Sequence, residues 1–405
     1  LLRVRSNYLD KKGAGSLTLS GSNSYAGETT VQSGNLVVTA NNALGTTAAG
    51  TTLSSGTTLT LQNVAYATAE GLAMNGATLA SSGTSSFSGG IAINASSTVH
   101  VPSGTLDLNG ALTASTTAGL LEGRITGNQF DQTSANPATA TVLYPRAAED
   151  NGQPPWGNDT TWIYTGQIFD TDGVVSFASN IDDNTLLKID SVTRINDTSW
   201  NSIDTTGTLN LGSGPLGDGW HDFELRVGNG NGGSGPTNDG NGWGDGFGSG
   251  PAPDKGFGWS ASGATGISGA SYPIPFDNGT GNLFRVVKSL TKTGVGTLNL
   301  NAASPAFDGS INVDGGTLVP TVDGTLGTTT KMTTVATGAT LAFAGPALNY
   351  TAAEPVSLAN NANVSNISGT NTFAGAFTLA SNGAANLGAV AGSLALSGSV
   401  APSGT

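Results

Sequence analysis

Lys11-Lys-Gly-Ala-Gly-Ser-Leu-Thr-Leu-Ser-Gly21 opens a pattern that continues through Tyr25-Ala-Gly-Glu-Thr-Thr-Val31 and Gly34-Asn-Leu-Val-Val38. The pattern returns as Lys292-Thr-Gly-Val-Gly-Thr-Leu-Asn-Leu300, Phe307-Asp-Gly-Ser-Ile-Asn-Val313 and Gly316-Thr-Leu-Val319. Tyr25 and Phe307 lie 282 positions apart, as do Gly34 and Gly316, and the spacing still holds at Leu44-Gly45 against Leu326-Gly327. A long internal repeat constrains the architecture before any single element does. Around it run short bursts of alternating apolar and small polar residues, among them Ser16–Leu19, Thr29–Val31, Asn35–Val38, Thr57–Leu61, Ala77–Leu79, Ile91–Ile93, Thr98–Val101 and Thr105–Leu108. Each is bounded by Gly, Asn or Ser, which is the signature of strands separated by turns. Gly-x-Leu-type positions recur at Leu36, Leu59, Leu79 and Leu106, spacings of 23, 20 and 27. Coils of that length predict a parallel β-helix with a narrow core of small side chains. A hairpin sandwich is the rival; it asks for two-residue turns, and Asn75-Gly76 and Asn109-Gly110 are too few to supply them. Helical periodicity is not visible.

Composition narrows the class. The chain has 405 residues, of which 61 are Gly, with 10% charged residues and no Cys. That is too glycine-rich for an ordinary enzyme domain, and the recurring Val, Leu and Ile are unlike a disordered chain. Without Cys there is neither a disulfide framework nor a thiolate metal site. No apolar run approaches the ~20 residues of a membrane helix, so no transmembrane segment is expected. The net charge of −13 argues against nucleic acid. Beginning at Leu1, with no initiating methionine and no signal-like start, the sequence reads as a processed or excised piece of something longer.

The middle is a different material. Residues 138–282 hold 17 of the 27 acidic residues and all six Trp. Pro137, Pro145, Pro154 and Pro155 mark its opening, and its strands are longer and more aromatic: Thr161–Thr165, Val174–Ala178, Leu186–Asp190 and Gly219–Val227. Aromatic strands joined by Gly/Pro turns predict an antiparallel β-sandwich with its own core, with Trp162 and Trp220 facing inward. The pattern of short strands resumes at Lys288, and Leu1–Arg5 matches Leu283–Val287 at the same spacing. The expected division is therefore a first shaft segment over 1–137 (1–12 as opening strand and linker), a sandwich module over 138–287, and over 288–405 the shaft of a next repeat unit.

The two repeated stretches resemble the autotransporter-associated β-strand repeat. Lys12, Gly13, Gly15, Leu17, Leu19, Gly21, Tyr25, Gly27, Thr29, Val31, Gly34 and Leu36 carry the likeness in the first copy. Lys292, Gly294, Gly296, Leu298, Leu300, Gly309, Val313 and Leu318 carry it in the second, which departs at Phe307 and Asn301. The resemblance implies a secreted or surface β-solenoid. The middle segment resembles a PA14-like jelly roll through Trp162–Gly166, residues 177–190, and Gly219-Trp-His with Glu224-Leu-Arg226. That family includes glycan binders as well as spacers.

Asp182-Asp183-Asn184 is the best site candidate. Adjacent carboxylates at a strand mouth supply the hard oxygen ligands that suit Ca²⁺, and the PA14 resemblance implies that such a pair holds Ca²⁺ in contact with sugar hydroxyls. Asp182 and Asp183 are thus candidate Ca²⁺ ligands, and Asn184 and Trp243 candidate glycan or partner contacts; the competing reading is a turn in which Asp183 accepts backbone N–H groups. Asp170-Thr-Asp-Gly173 is read as a turn because the later ligands of an EF-hand are missing. His100 and His221 stand alone, with no second His or Cys nearby. The expectation is an extracellular bacterial structural or adhesive protein, not an enzyme. Its units would stack end to end into a surface fibre, with itself as partner. The alternative is a Ca²⁺-dependent glycan-binding adhesin on a β-helical stalk.

Overall fold

The computed structural model describes residues 2–5, 7–143, 145, 158–170, 172–180, 183–199, 203–216, 218–230, 256–260, 283–380 and 383–402. Among these there is strand, turn and loop but no helix, as the missing 3.6-residue period requires. The chain forms two compact units, residues 1–116 with 288–405, and residues 117–287.

The first unit is a parallel β-solenoid, and its sheets grow by one strand per turn of the chain. The longest sheet has eleven strands among the described residues, starting with Ser16–Leu19, Asn35–Val38, Thr58–Gln62, Thr78–Ser82 and Ser97–His100. Ser289–Thr293, Ser310–Val313, Thr333–Val335, Val356–Leu358, Phe377–Leu379 and Val400–Pro402 complete it. A second sheet contains Tyr8–Lys11, Thr29–Val31, Thr51–Leu53, Leu72–Asn75, Ile91–Ala95 and Leu112–Thr113. A third runs from Ala65–Tyr66 through Thr84–Phe87, Thr105–Leu108 and Thr297–Leu300 to Asn386–Ala389. With about 4.8 Å between rungs, eleven rungs extend for roughly 50 Å.

Alternation explains the core. In these three- to five-residue strands every second side chain points in, and parallel in-register pairing stacks equivalent residues into columns. One column of the longest sheet reads Leu36, Leu59, Leu79, Val99, Lys292, Val313, Val335, Leu358 and Leu379. Most of its members are fully buried and belong to a single apolar cluster. Leu36, Leu59 and Leu79 thus stack as their spacing predicts. Leu106 does not join them; it lies on the third sheet against Ser85 and Leu298.

The column crosses from Val99 to Lys292, and this corrects the expected third domain. Ser97–His100 pairs with Leu290–Thr293, and Thr105–Leu108 pairs with Thr297–Leu300, residue against residue. His100 Nδ1 lies 2.9 Å from Thr293 Oγ1 across the same joint. Residues 288–405 therefore continue the first shaft; they do not begin another. The repeated motif misled because it marks a coil, and a solenoid reuses its coil template anywhere along its length. Leu1–Arg5 and Leu283–Val287 are also used differently. Leu2–Arg5 pairs antiparallel with Tyr8–Lys11, whereas Phe284–Val286 pairs with Thr117–Ala118 and with Gln167–Ile168.

The second unit replaces one corner of a coil. Elsewhere the chain turns from the second sheet to the longest one within a few residues, as from Asn75 to Thr78 or Ala95 to Ser97. After Thr113 the same corner takes in residues 117–287 before the chain resumes at Ser289. The unit's described residues form two antiparallel sheets. Its spine is Thr160–Phe169 against Trp220–Asn229, paired over ten residues from Thr160↔Asn229 to Phe169↔Trp220. A smaller sheet centred on Val174–Asn180 adds Val175, Phe177, Phe257 and Trp259 to a shared core with Tyr164, Ile168, Leu187, Phe223, Leu225 and Phe284. Phe177 lies 5.9 Å from Phe257 and 6.4 Å from Phe223, ring to ring.

The unit opens before the expected boundary at 138, since Leu120–Thr126 already pairs with Thr160–Phe169. Pro137 belongs to a loop within the unit, between Leu120–Thr126 and Ala140–Val142, so the prolines mark a turn inside the module and not its junction. Trp162 packs on the core as expected. Trp220 does not: it has the opposite parity to Phe223, Leu225 and Val227, and His221 takes the inward place, fully buried. Trp220 lies instead beneath the Arg285 guanidinium, 4.1 Å from its ring centre.

Candidate functional site

At the mouth of the module, Asp183 follows the Val174–Asn180 strand and precedes Asn184–Ile189. Its N–H donates to Gly228 O at 3.1 Å. Its Oδ2 accepts from the Gly230 N–H at 2.6 Å, with Gln129 Nε2 at 3.4 Å. Asn184 is buried beside it, paired with Gly228. Asp182 and Trp243 lie outside the described residues, so the structure brings together Asp183 and Asn184 only. Among the described residues no group of three or more His, Cys, Asp or Glu is arranged to hold a metal ion. Gln129 belongs to a loop organised by buried Arg226, whose Nη1 donates to Asp131 O (3.0 Å) and Nη2 to Ser134 O (2.7 Å). The Ser134 hydroxyl and N–H hold the Asp131 carboxyl down to about 2, with the Thr133 N–H and the charge of Arg226 adding to the effect.

His221 is less solitary than its sequence context suggests. Its Nδ1 lies 2.7 Å from Asp190 Oδ2, while Asp190 Oδ1 accepts the Asp222 N–H. Burial opposes charging the ring, but Asp190, with the Gly212 backbone and the charge of Asp170, outweighs it and the His221 pKa is raised. At the other candidate turn, Asp172 Oδ1 accepts the Val174 N–H at 2.9 Å, as the turn reading requires.

The shaft carries its own chemistry, repeated in both copies. The first device is a buried lysine. Lys11 occupies the inward column of Val31, Leu53 and Met74, and its Nζ donates to Gly13 O (2.6 Å) and Ser33 O (2.7 Å). Lys292 does the same with Gly294 O and Gly315 O, both at 2.8 Å, and with Thr293 O at 3.1 Å. Each ammonium satisfies carbonyls that a corner leaves unpaired, one in its own coil and one in the next. Carbonyls compensate the charge only partly, and burial pushes Lys292 down to about 8. The motif lysine is thus Lys11 and not the neighbouring Lys12. Alternation could have decided between them, because only Lys11 shares the parity of inward Leu9.

The second device escaped the sequence reading altogether. Tyr66-x-x-x-Glu70 and Tyr350-x-x-x-Glu354 recur 284 residues apart. Tyr66 OH accepts the Leu44 N–H (3.2 Å) and donates to Glu70 Oε2 (3.1 Å), and Glu70 Oε1 accepts from Thr51 Oγ1 (2.6 Å). Tyr350 OH accepts the Leu326 N–H (2.9 Å) and donates to Glu354 Oε1 (3.1 Å). Asn41 Oδ1 and Asp323 Oδ1 cap the following turns, accepting from Ala67 and Thr68 N–H in one copy and from Thr351 and Ala352 N–H in the other. Burial pushes both carboxyls up to about 7. The Thr51 and Tyr66 hydrogen bonds oppose this at Glu70; at Glu354 its own backbone N–H and then Tyr350 oppose it, and Asp323 adds to it.

These features define a β-solenoid repeat protein with an antiparallel module spliced into one coil. Residues 9–38 and 290–319 match the passenger-associated-transport-repeat family model, so the two lysine corners lie within the matched stretches. A stretch of 111 residues is 38% identical to an α-agarase of Thalassotalea agarivorans, covering 27% of this chain and 7% of that protein. Another of 71 residues is 39% identical to an α-agarase of Alteromonas agarilytica, covering 18% and 5% respectively. The chain thus spans under a tenth of the length of these relatives. No solved structure matches. No helix among the described residues is long and apolar enough to cross a membrane.

Proposed function

We propose that this chain is an extracellular structural and adhesive protein of a bacterial surface. In this reading β-solenoid units stack end to end into a fibre and carry PA14-like jelly-roll modules at their corners. The observation that carries the reading is the in-register ladder running through the splice from Ser97–His100 to Leu290–Thr293. A shaft that keeps its hydrogen-bonded stack while a domain of its own core enters at a corner suits a display scaffold. The passenger-associated repeats at both ends support a surface or secreted location and a structural in place of an enzymatic role. Electron microscopy of the native assembly tests it: filaments with an axial repeat set by the rungs are expected, and particles that stay monomeric at every concentration would count against stacking.

A second reading is a Ca²⁺-dependent glycan-binding adhesin. It is favoured by Asp183, a carboxylate held at the strand mouth by the Gly230 N–H and next in sequence to Asp182. Galactans of the agar type are candidate ligands, given the α-agarase matches. Binding on a glycan array that disappears with chelator and in Asp183→Ala supports this reading; binding indifferent to both removes the Ca²⁺ role.

A further inference from the structure

We propose that the two Tyr-x-x-x-Glu segments are acid-closed latches, in which neutral Glu70 and Glu354 clamp the loops at 41–46 and 323–328 onto the next coil. The chain of hydrogen bonds from loop amide to tyrosine to carboxyl recurs, although only Glu70 also accepts from a threonine, Thr51. In each copy a loop amide (Leu44 or Leu326) donates to a tyrosine hydroxyl, the hydroxyl donates to a buried carboxyl, and a side-chain oxygen of the same loop (Asn41 or Asp323) caps the following turn. Glu70 is 1% exposed and Glu354 0%, so a charge placed there by ionisation sits away from water, with no cation among the described residues acting on it. The titratable groups coupled to Glu70 among the described residues are Tyr66 on its own segment and Tyr25 from two coils earlier. Those acting on Glu354 are Tyr350 and Asp323. None is cationic: the Tyr66 and Tyr350 hydroxyls ease ionisation only by one hydrogen bond each, Asp323 makes it harder at Glu354, and burial prevails at both. Glu354 Oε2 is moreover buried without a hydrogen-bond partner among the described residues, a position that suits a neutral carboxyl far better than a carboxylate.

The sign follows from linkage. With the latch closed the carboxyls titrate at about 7, against the ordinary 4.5 once open in solvent. The closed state therefore binds more protons between those values. Its stabilisation is fully present below the open-state pKa and is lost as pH rises through the closed-state one. From pH 6 to pH 8 the open population of each latch should rise about tenfold, with little further change above. The loops would loosen on the alkaline side of neutrality while the strands around them stay paired.

Hydrogen exchange on the full chain, corrected for the intrinsic pH dependence of exchange, reads this out at the amides of Leu44, Ala67, Thr68, Leu326, Thr351 and Ala352. The expected result is that tenfold rise at these amides and none in the strands Thr58–Gln62 and Thr340–Phe343. Glu70→Gln keeps the shape of the neutral acid and should flatten the rise in the first latch alone, Glu354→Gln in the second alone. A flat profile in the native chain, an equal rise in the control strands, or a rise that survives the double substitution overturns the proposal. Infrared difference spectroscopy of the native chain needs no variant: two carboxylic-acid bands should disappear between pH 6 and pH 8, and their absence at pH 6 is equally fatal.

Discussion

A lysine in an aliphatic column is the residue with the most to explain. Lys292 sits between Val99 and Val313 with its side chain fully buried, and what keeps it there is carbonyl oxygen. A corner turns the backbone so sharply that Gly294 O and Gly315 O cannot join the ladder, and a buried carbonyl without a donor is costly. Lys292→Ala removes the donor and opens a cavity at once. A loss of about 2–4 kcal/mol is expected from chemical denaturation of the shaft. Lys292→Met fills the column but leaves the carbonyls unserved, and should lose less. The pH dependence separates charge from packing. Because the folded pKa of about 8 lies below the ordinary 10.5, the unfolded chain binds more protons between the two values. Stability should then rise with pH across that window, opposite in sign to the Glu70 and Glu354 effect near neutrality. A wild-type chain showing no such rise, or a Lys292→Met chain that keeps it, removes this account of the lysine.

At the scale of the coil, the corner explains the glycines of the motif. Gly34 and Gly316 have φ of +74° and +66°, a region that costs a side chain about 1–3 kcal/mol. A Cβ on Gly34 would come within 2.5 Å of Gly15 O and 2.6 Å of Gly13 O, and one on Gly316 would meet the equivalent Gly294 and Gly296 carbonyls. Gly316→Ala is therefore expected to lower the melting temperature measurably, whereas Gly338→Ala, also at positive φ but with open space around it, should show only the backbone cost. Equal losses at the two positions would mean that the close approach of coils does not matter. The strands and the β-helix were legible in the sequence because alternation within a strand and Leu spacing between coils are local signals. Which Leu stacks on which was legible for Leu36, Leu59 and Leu79 and not for Leu106, because a coil has several faces and spacing alone does not name the face. The same holds for the repeated motif itself. Lys11 lies on the second sheet and Lys292 on the longest one, so the second copy is displaced around the coil as well as along it. In the candidate site, adjacency singled out Asp183 and Asn184, but the partners of His221 and Glu70 come from residues 31 and 19 positions away, a distance that only the fold resolves.

For the whole molecule, the splice sets the terms. The shaft keeps one apolar cluster containing residues from both sides of the module, from Val31 to Phe377, and the module keeps another. Thr117–Ala118 and Arg285–Val286 pair at the base of the module, so its two ends leave as neighbouring strands. Deleting residues 117–287 and joining Thr116 to Lys288 should therefore leave a shaft with a β-type circular dichroism spectrum and a cooperative melt. A collapsed or aggregating product would show that the ladder between Ser97–His100 and Leu290–Thr293 cannot form without the module.

The same ladder has a mechanical consequence. Tension applied between the two halves of the shaft meets two routes in parallel: the covalent chain through the module, and the rows of interstrand hydrogen bonds joining Ser97–His100 to Leu290–Thr293 and Thr105–Leu108 to Thr297–Leu300. The short route is stiffer, so it takes the load first and the module stays slack. Only when those rows tear does the pull reach the pairing of Thr117–Ala118 with Arg285–Val286 at the two ends of the module, behind which its strands form a safety line of reserve length.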